Sequence, residues 1–300
     1  VVQQNDNFDV FVILADFMKE YEDLLDQFIT NALLEDIGTG DHTSLATIPA
    51  EKQGAARLII KEEGVLAGVE VALSIFRRVD PELTVTVHIE DGTKVSYGDI
   101  ALTVEGNVYS ILISERLVLN TMQRMSGIAS TTSRIVSRLE GTGTRVLDTR
   151  KTTPNLRFLE KKAVEIGGGV NHRFGLYDMI LIKDNHVDYA GGIKNALTAA
   201  REYLKKQSLS LEIEIEVRSI AELEEVLEAG GADRILLDNF EYNELKKAVK
   251  MIDGKYATEA SGGIVEDEIA HYAACGVDFI SMGALTHSVK SLDMSLKAIS

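Results

Sequence analysis

Apolar and polar positions follow two different rhythms along this chain. Residues 8 to 36 carry Phe17, Leu24, Leu25, Phe28, Leu33 and Leu34 at roughly helical spacing, which predicts one long helix. "EDIGTGDHTS" then breaks the spacing with two glycines and an Asp/Thr cluster, so it reads as a loop. From 53 to 109 the text turns strand-like: "AARLIIKEEGVLAG", "TVTVHIEDGTKV" and "DIALTVEG" alternate or run β-branched, with Asp91-Gly92 as a turn signal. "SERLVLNTMQRMSGIASTTSRIVSRL" is a long helical pattern, expected to be interrupted near Gly127, and a domain boundary is placed there, giving 1–126 and 127–300.

Past that point strand candidates end near Asp148 ("RVLD"), Lys183 ("MILIK"), Glu216 ("LEIEIE"), Asp238 ("RILLD"), Ser261 ("YATEAS") and Gly283 ("DFISMG"). Helical segments such as "SIAELEEVLEAGG" and "EYNELKKAVKMI" fill the gaps. The last three intervals, 22, 23 and 22 residues, suit a strand, a loop, a helix and a return. Short crossovers through helices make the strands parallel, and six such units favour a (β/α) barrel over an open doubly wound sheet. No G-x-G-x-x-G follows a strand and no G-x-x-x-x-G-K-[ST] occurs, so dinucleotide and P-loop readings lose their main support.

Composition narrows the classes. A chain of 300 residues, 45% apolar, can bury the core of one large domain or two medium ones. It has no run of 18 apolar residues and its N-terminus lacks the basic and apolar regions of a secretory signal, so a cytoplasmic location is the expectation. The first residue is Val, so the numbered chain need not begin where translation does. The single cysteine, Cys275, excludes an intrachain disulfide or a multi-Cys zinc site and reads as inert helix packing. A net charge of -16 argues against nucleic acid and anionic membranes as partners. Residues 116 to 183 nevertheless hold twelve Lys/Arg against five Asp/Glu, which suggests a site for a small, highly charged anion; a solvated helix face around Lys161 and Lys162 accounts for part of that excess.

Every strand candidate ends in a polar residue or glycine, and in α/β barrels the C-terminal strand ends converge on the mouth that carries chemistry. Arg150, Lys151, His172, Arg173 and Lys183 supply cations there, guanidinium forks for carboxylates and lysines for phosphate. Glu216 and Asp238 offer hard oxygen ligands suited to Mg2+. In "EIEIE", Glu212, Glu214 and Glu216 share one face, and only Glu216 is read as lying at the strand end. "ASGGI" and "SMGALTHS" place Ser261, Gly262, Gly263 and Gly283 at turns able to cradle a phosphate, although either turn alone is weak evidence. Together these residues suggest a substrate with a monophosphate at one end and a metal-bound diphosphate at the other.

"DTRKTTP", "GGGVNHRFGLYDMILIKDNH", "EIEVRS", "LLDNF" and "EASGGI", in this order, closely resemble quinolinate phosphoribosyltransferase, the carboxylating nicotinate-nucleotide pyrophosphorylase family of NAD biosynthesis. The likeness runs from about Leu34 onward; Val170 and Asn155 depart from the pattern, the latter where glycine is common. The resemblance implies an N-terminal α/β sandwich and a C-terminal incomplete (β/α) barrel, with a last helix able to return to the N-terminal domain. It implies a homodimer whose sites are shared between subunits, Arg116 entering the other subunit's site. Arg116, Arg150, His172 and Arg173 would bind quinolinate. Lys151 and Lys183 would contact phosphoribosyl pyrophosphate, Glu216 and Asp238 would hold ribose hydroxyls and Mg2+, directly or indirectly, and Ser261, Gly262, Gly263 and Gly283 would cradle its 5-phosphate. The implied reaction gives nicotinate mononucleotide, pyrophosphate and CO2 and needs Mg2+ but no organic cofactor.

Two rivals stand beside this reading. A related barrel enzyme acting on nicotinate, or a molybdenum-associated relative, would need fewer cations than Arg116, Arg150, His172 and Arg173 supply. A non-catalytic anion-binding protein would not need Lys151, Lys183, Glu216 and Asp238 together.

Overall fold

The structure is a computed structural model that describes residues 6–299, with side chains described for Lys19 and residues 21–299. The side chain of Phe17, counted above on the apolar face of the first helix, lies outside the described residues. In chain order the elements are α1 (Asp6–Ile37), α2 (His42–Thr47), β1 (Gln53–Ile60), β2 (Gly64–Val65), α3 (Val69–Val79), β3 (Thr84–Val87), β4 (Lys94–Val95), β5 (Ile100–Asn107) and α4 (Val108–Ser137). There follow β6 (Arg145–Leu147), α5 (Arg157–Ile166), β7 (Ile180–Ile182), α6 (Asp184–Ala190), α7 (Ile193–Gln207) and β8 (Ile213–Val217). The last are α8 (Ile220–Ala229), β9 (Arg234–Asp238), α9 (Tyr242–Ile252), β10 (Ala257–Ser261), α10 (Ile269–Ala273), β11 (Phe279–Ser281), α11 (Ala284–His287) and β12 (Met294–Ile299).

The chain divides into two units, the first made of Val1–Ser130, Thr153–Ile166 and Lys290–Ser300, the second of Thr131–Thr152 and Gly167–Val289. In the first, β12, β1, β5 and β3 form an antiparallel sheet in that order, with Leu58 paired to both Leu102 and Leu296. These leucines, with Ile60, Ile75, Phe76 and Met125, are buried and form its core. The expected terminal helix is instead the edge strand β12. Its residues Met294, Ser295, Leu296 and Lys297 alternate buried and more exposed, the period of two that a strand with one covered face requires. "EDIGTGDHTS" is a loop only over residues 38–41, after the end of α1, and the Asp41 carboxylate accepts the backbone N–H groups of Thr43 at 3.0 Å and Ser44 at 3.1 Å and so starts α2.

Helix α4 runs unbroken through Gly127, contrary to the interruption expected there. The small residues of "MSGIAS" form a docking face. Ser126 Oγ accepts the Ala67 N–H at 2.8 Å, Ser130 Oγ accepts the Val65 N–H at 2.8 Å, and a Cβ on Gly127 would run into the Lys290 carbonyl oxygen and lie 3.1 Å from Ser291 Cα. Close backbone approach, not chain reversal, explains this glycine.

In the second unit six parallel strands lie in the order β6, β11, β10, β9, β8, β7. Among the described residues β6 and β7 do not pair, and an isolated parallel bridge between Leu147 and Val170 lies beside β6. The result is an incomplete (β/α) barrel whose strands all finish at one edge. Ile213, Ile215, Val217, Ile235 and Leu237 are buried on the face that helices cover. Among the described residues no helix is long and apolar enough to cross a membrane.

Gly127→Ala is expected to destabilise the chain by about 1–3 kcal/mol, the usual cost of overpacking a filled contact. A lowered urea midpoint with an unchanged far-UV spectrum is the expected outcome; an unchanged midpoint would show that the terminal segment moves aside without cost.

Candidate active site

Parallel register sets the site. Asp238 pairs with Ser261 and Glu216 with Leu236, so the carboxylates of β8 and β9 and the hydroxyl ending β10 emerge at one edge. Lys183 follows β7 directly, and its N–H donates to His186 Nδ1 at 3.0 Å as α6 begins. Its Nζ donates to Glu216 Oε2 at 2.7 Å. Asp238 is half-buried, and burial first, then the charge of Glu216, raises its carboxyl above the ordinary range. The Asn239 side-chain amide donates to it at 2.6 Å.

The two glycine turns join this edge through specific contacts. Asn239 N–H donates to the Ser261 carbonyl at 2.9 Å, and at Gly262, with φ of 106°, a Cβ would come 2.8 Å from Asn239 N. At Gly283 a Cβ would lie 2.8 Å from Lys151 Cδ, so the lysine stem runs across that glycine. Thr286 Oγ1 fixes the same segment by donating to the Lys151 carbonyl at 2.8 Å. Arg173 is partly buried and donates to the Met179 carbonyl at 3.2 Å. Burial, then the like charge of Arg150, lowers its pKa, which puts two guanidinium groups within each other's field. Arg116 belongs to the first unit, on α4, with its side chain 56% exposed beside Glu115 and Asn120.

His172 does not join the cations at the edge. Its side chain is 7% exposed, with Nε2 lying 2.9 Å from Glu214 Oε2 and 3.5 Å from Glu259 Oε2. Its Nδ1 accepts the Arg173 N–H at 2.7 Å, and its own N–H donates to Asp148 Oδ1 at 2.8 Å. Nδ1 thus meets a backbone N–H, while Nε2 lies near two buried carboxylates without a hydrogen bond to Glu214. Glu214 has no solvent exposure and belongs to the barrel interior with Glu259 and Arg234, whose Nη1 donates to Glu259 at 3.2 Å. The signal that could have found this layer was parity, since Glu214, Arg234 and Glu259 each stand two residues before a strand residue on the same face.

Other expectations change as well. Lys161 is 2% exposed and so leaves the solvated face expected there to Lys162, whose side chain is 44% exposed; Glu160, 1% exposed, accepts from Arg124, Thr153 Oγ1 and the Thr153 N–H. Asn155, standing where the family often has glycine, has φ of 65°, a left-handed conformation that Asn tolerates better than most residues. A hollow of about 680 Å³ in the first unit, lined by residues including Phe28, Leu117 and Phe158, holds none of the expected site residues.

Burial, followed by the charge of Glu214, pushes Glu259 up to about 7 from an ordinary 4.5. Folded chain thus binds more protons than unfolded chain between those values, so the contribution of Glu259 to stability falls as pH rises through that window. Glu259→Gln is expected to flatten this decline. Urea midpoints measured on both sides of the window check it, and an undiminished slope would assign the decline to other groups.

Comparison with known proteins agrees with this architecture. Models described as quinolinate phosphoribosyl transferase, N-terminal domain and C-terminal domain, match residues 41–126 and 128–297. The chain is 46% identical to "Quinolinate phosphoribosyltransferase [decarboxylating] 2a, mitochondrial" of Nicotiana tabacum, over 89% of this chain and 80% of that protein. It is 47% identical to "Nicotinate-nucleotide pyrophosphorylase [carboxylating], chloroplastic" of Arabidopsis thaliana, over the same shares. The crystal structure of NadC from Streptococcus pyogenes superposes with a TM-score of 0.87 at 40% identity, covering 92% of this chain and 97% of that one. The organelle names overturn the cytoplasmic expectation, because neither a missing secretory signal nor the lack of a spanning helix distinguishes cytoplasm from organelle interior. With both domain models matched in order and relatives aligned over most of its length, this chain belongs to the quinolinate phosphoribosyl transferase family.

Proposed function

We propose that the strand-end cluster of the second unit transfers phosphoribosyl from phosphoribosyl pyrophosphate to quinolinate, with decarboxylation, giving nicotinate mononucleotide, pyrophosphate and CO2 for NAD biosynthesis. The observation that carries the choice of acceptor is the pairing of Arg150 with a partly buried Arg173. Arg173 lies in the like-charge field of Arg150 as well as in those of Glu214 and Asp178, and a ring with adjacent carboxylates presents two anions to such guanidinium forks. Arg116 from a second copy of the chain completes this anion site in a homodimer.

The diphosphate end falls to the other residues. Lys183, held by Glu216, and Lys151, laid across Gly283, place ammonium groups beside the departing pyrophosphate and the phosphate turns. Ser261, Gly262, Gly263 and Gly283 receive the 5-phosphate. Glu216 and Asp238 fit Mg2+ as hard oxygen donors, burial and then the charge of Glu216 raising Asp238, and they would hold it together with ribose hydroxyls. When bound, the ion supplies positive charge to the diphosphate. The ring nitrogen of quinolinate attacks the anomeric carbon as its bond to pyrophosphate breaks, so positioning and fixed positive charge supply most of the rate. The positive charge on the alkylated nitrogen then stabilises the electron pair left on the adjacent ring carbon when its carboxylate departs as CO2, and a proton from water takes up that pair.

Purified protein with quinolinate, phosphoribosyl pyrophosphate and Mg2+ is expected to form nicotinate mononucleotide and CO2, while nicotinate in place of quinolinate gives none. A folded protein inactive on quinolinate would overturn the reading. Arg173→Ala is expected to lower kcat/KM for quinolinate by roughly 2–4 kcal/mol of transition-state stabilisation, chiefly through KM, because one buried carboxylate loses its partner. Near-normal kinetics would remove Arg173 from the pocket.

A further inference from the structure

The loop after β6 and the turn after β11 lie side by side. β11 pairs with β6 through Ser281 and Leu147, and the Met282 N–H continues the ladder by donating to the Leu147 carbonyl at 2.9 Å. Each segment then carries one part of the proposed phosphoribosyl pyrophosphate site, Lys151 in the first and Gly283 in the second. Lys151 is exposed, and a flexible four-carbon stem in solvent sweeps a wide volume unless its backbone is held. The backbone is held on both sides: its N–H donates to Thr149 Oγ1 at 3.0 Å, and its carbonyl accepts from Thr286 Oγ1 at 2.8 Å.

Thr286 has no task in the reaction as described. It is fully buried on α11, and its hydroxyl bonds to a residue 135 positions away in the chain. The same oxygen lies 3.2 Å from the Gly283 carbonyl. A hydroxyl donates one proton, and the shorter contact, to Lys151, takes it. Gly283 does not depend on that proton, because its carbonyl accepts the backbone N–H groups of Thr286 and His287, both at 3.1 Å. Loss of the hydroxyl would therefore fall on Lys151 and leave the turn in place. Gly283 itself matters for space, not for backbone freedom, since its φ of -62° suits any residue. A Cβ there would meet Lys151 Cδ at 2.8 Å and the His287 ring at 3.0 Å, so the stem of Lys151 occupies the room that the glycine leaves.

We propose that Thr286 is a positioning residue for Lys151: its buried hydroxyl ties the Lys151 carbonyl to α11, so that the lysine stem starts from a fixed point and runs across Gly283 beside the phosphate turn. The inference rests on the proposed reading of Lys151 and Gly283 as parts of one phosphoribosyl pyrophosphate site. That substrate carries a phosphate at one end and a diphosphate at the other. A lysine serving the departing diphosphate has to be set against the turn that seats the opposite end, and the two belong to segments far apart in the chain. The Thr286 hydroxyl supplies that setting with one hydrogen bond. Its burial keeps water from competing for the donor, which makes the tie more rigid than the same bond at the surface.

The test removes the donor and keeps the shape. Thr286→Val is expected to lower kcat/KM for phosphoribosyl pyrophosphate by about tenfold, the order of cost that a small displacement of a catalytic group carries, while Thr286→Ser, which keeps the hydroxyl, stays within about threefold of wild type. Far-UV spectra of both variants are expected to match wild type. A crystal structure of Thr286→Val gives a readout independent of turnover: the Lys151 stem is expected to leave its place over Gly283 while β6 and β11 stay paired. An unmoved Lys151, wild-type kcat/KM in the Val variant, equal losses in the Val and Ser variants, or a Val variant that does not fold would each overturn the proposal. A folded wild-type protein that fails to turn over quinolinate would instead sink the functional reading, and the position of Lys151 in the Val variant would still decide whether the hydroxyl sets it.

Discussion

A carboxylate without solvent has to be neutralised by whatever the fold sets beside it, and Glu214 and Glu259 impose that condition on the second unit. Burial first, then the charge of Glu214, drives Glu259 toward holding a proton near neutrality, and the Arg234 guanidinium donates to it. These side chains bring β8, β9 and β10 together with the segment after β6. The exposed edge above inherits that order: Glu216 lies two residues beyond Glu214, Ser261 two beyond Glu259, and Arg173 one beyond His172. The strand-end residues are thus carried on a buried layer.

At the edge the energetics reverse. Lys183 and Glu216 form a short ion pair, but the lysine is half exposed, so the contact orients an ammonium group more than it stabilises the fold. Arg173 is partly buried and lies in the fields of Arg150, Glu214 and Asp178 together. The family to which the chain belongs is named for quinolinate, a dicarboxylate.

Much of the fold was legible from periodicity. Strand ends near Asp148, Lys183, Glu216, Asp238, Ser261 and Gly283 fall within a residue or two of β6 to β11, because buried parallel strands leave short apolar runs and then must stop at polar turns. The misreadings have one origin. Gly127 was taken for a break and the terminal segment for a helix, yet each makes sense only against the other, the glycine admitting Lys290 and Ser291 and the chain beyond them pairing with β1. Lys161 was placed in solvent because helical spacing gives a face without saying what covers it.

The sequence by itself determined the order of elements, the parallel βα architecture and the residue types gathered at the strand ends, since these depend on local spacing and on motifs that are contiguous in the chain. Tertiary structure alone decided which polar residues reach the strand-end edge and which face each other in the barrel interior. Glu214 and Glu216 differ by one step of the strand period and are chemically identical in the text, but one reaches Lys183 at the edge and the other meets His172 without water. That difference is set by depth along the barrel axis, and depth depends on neighbours more than forty residues away in the chain, such as Glu259 and His172, which no local pattern encodes.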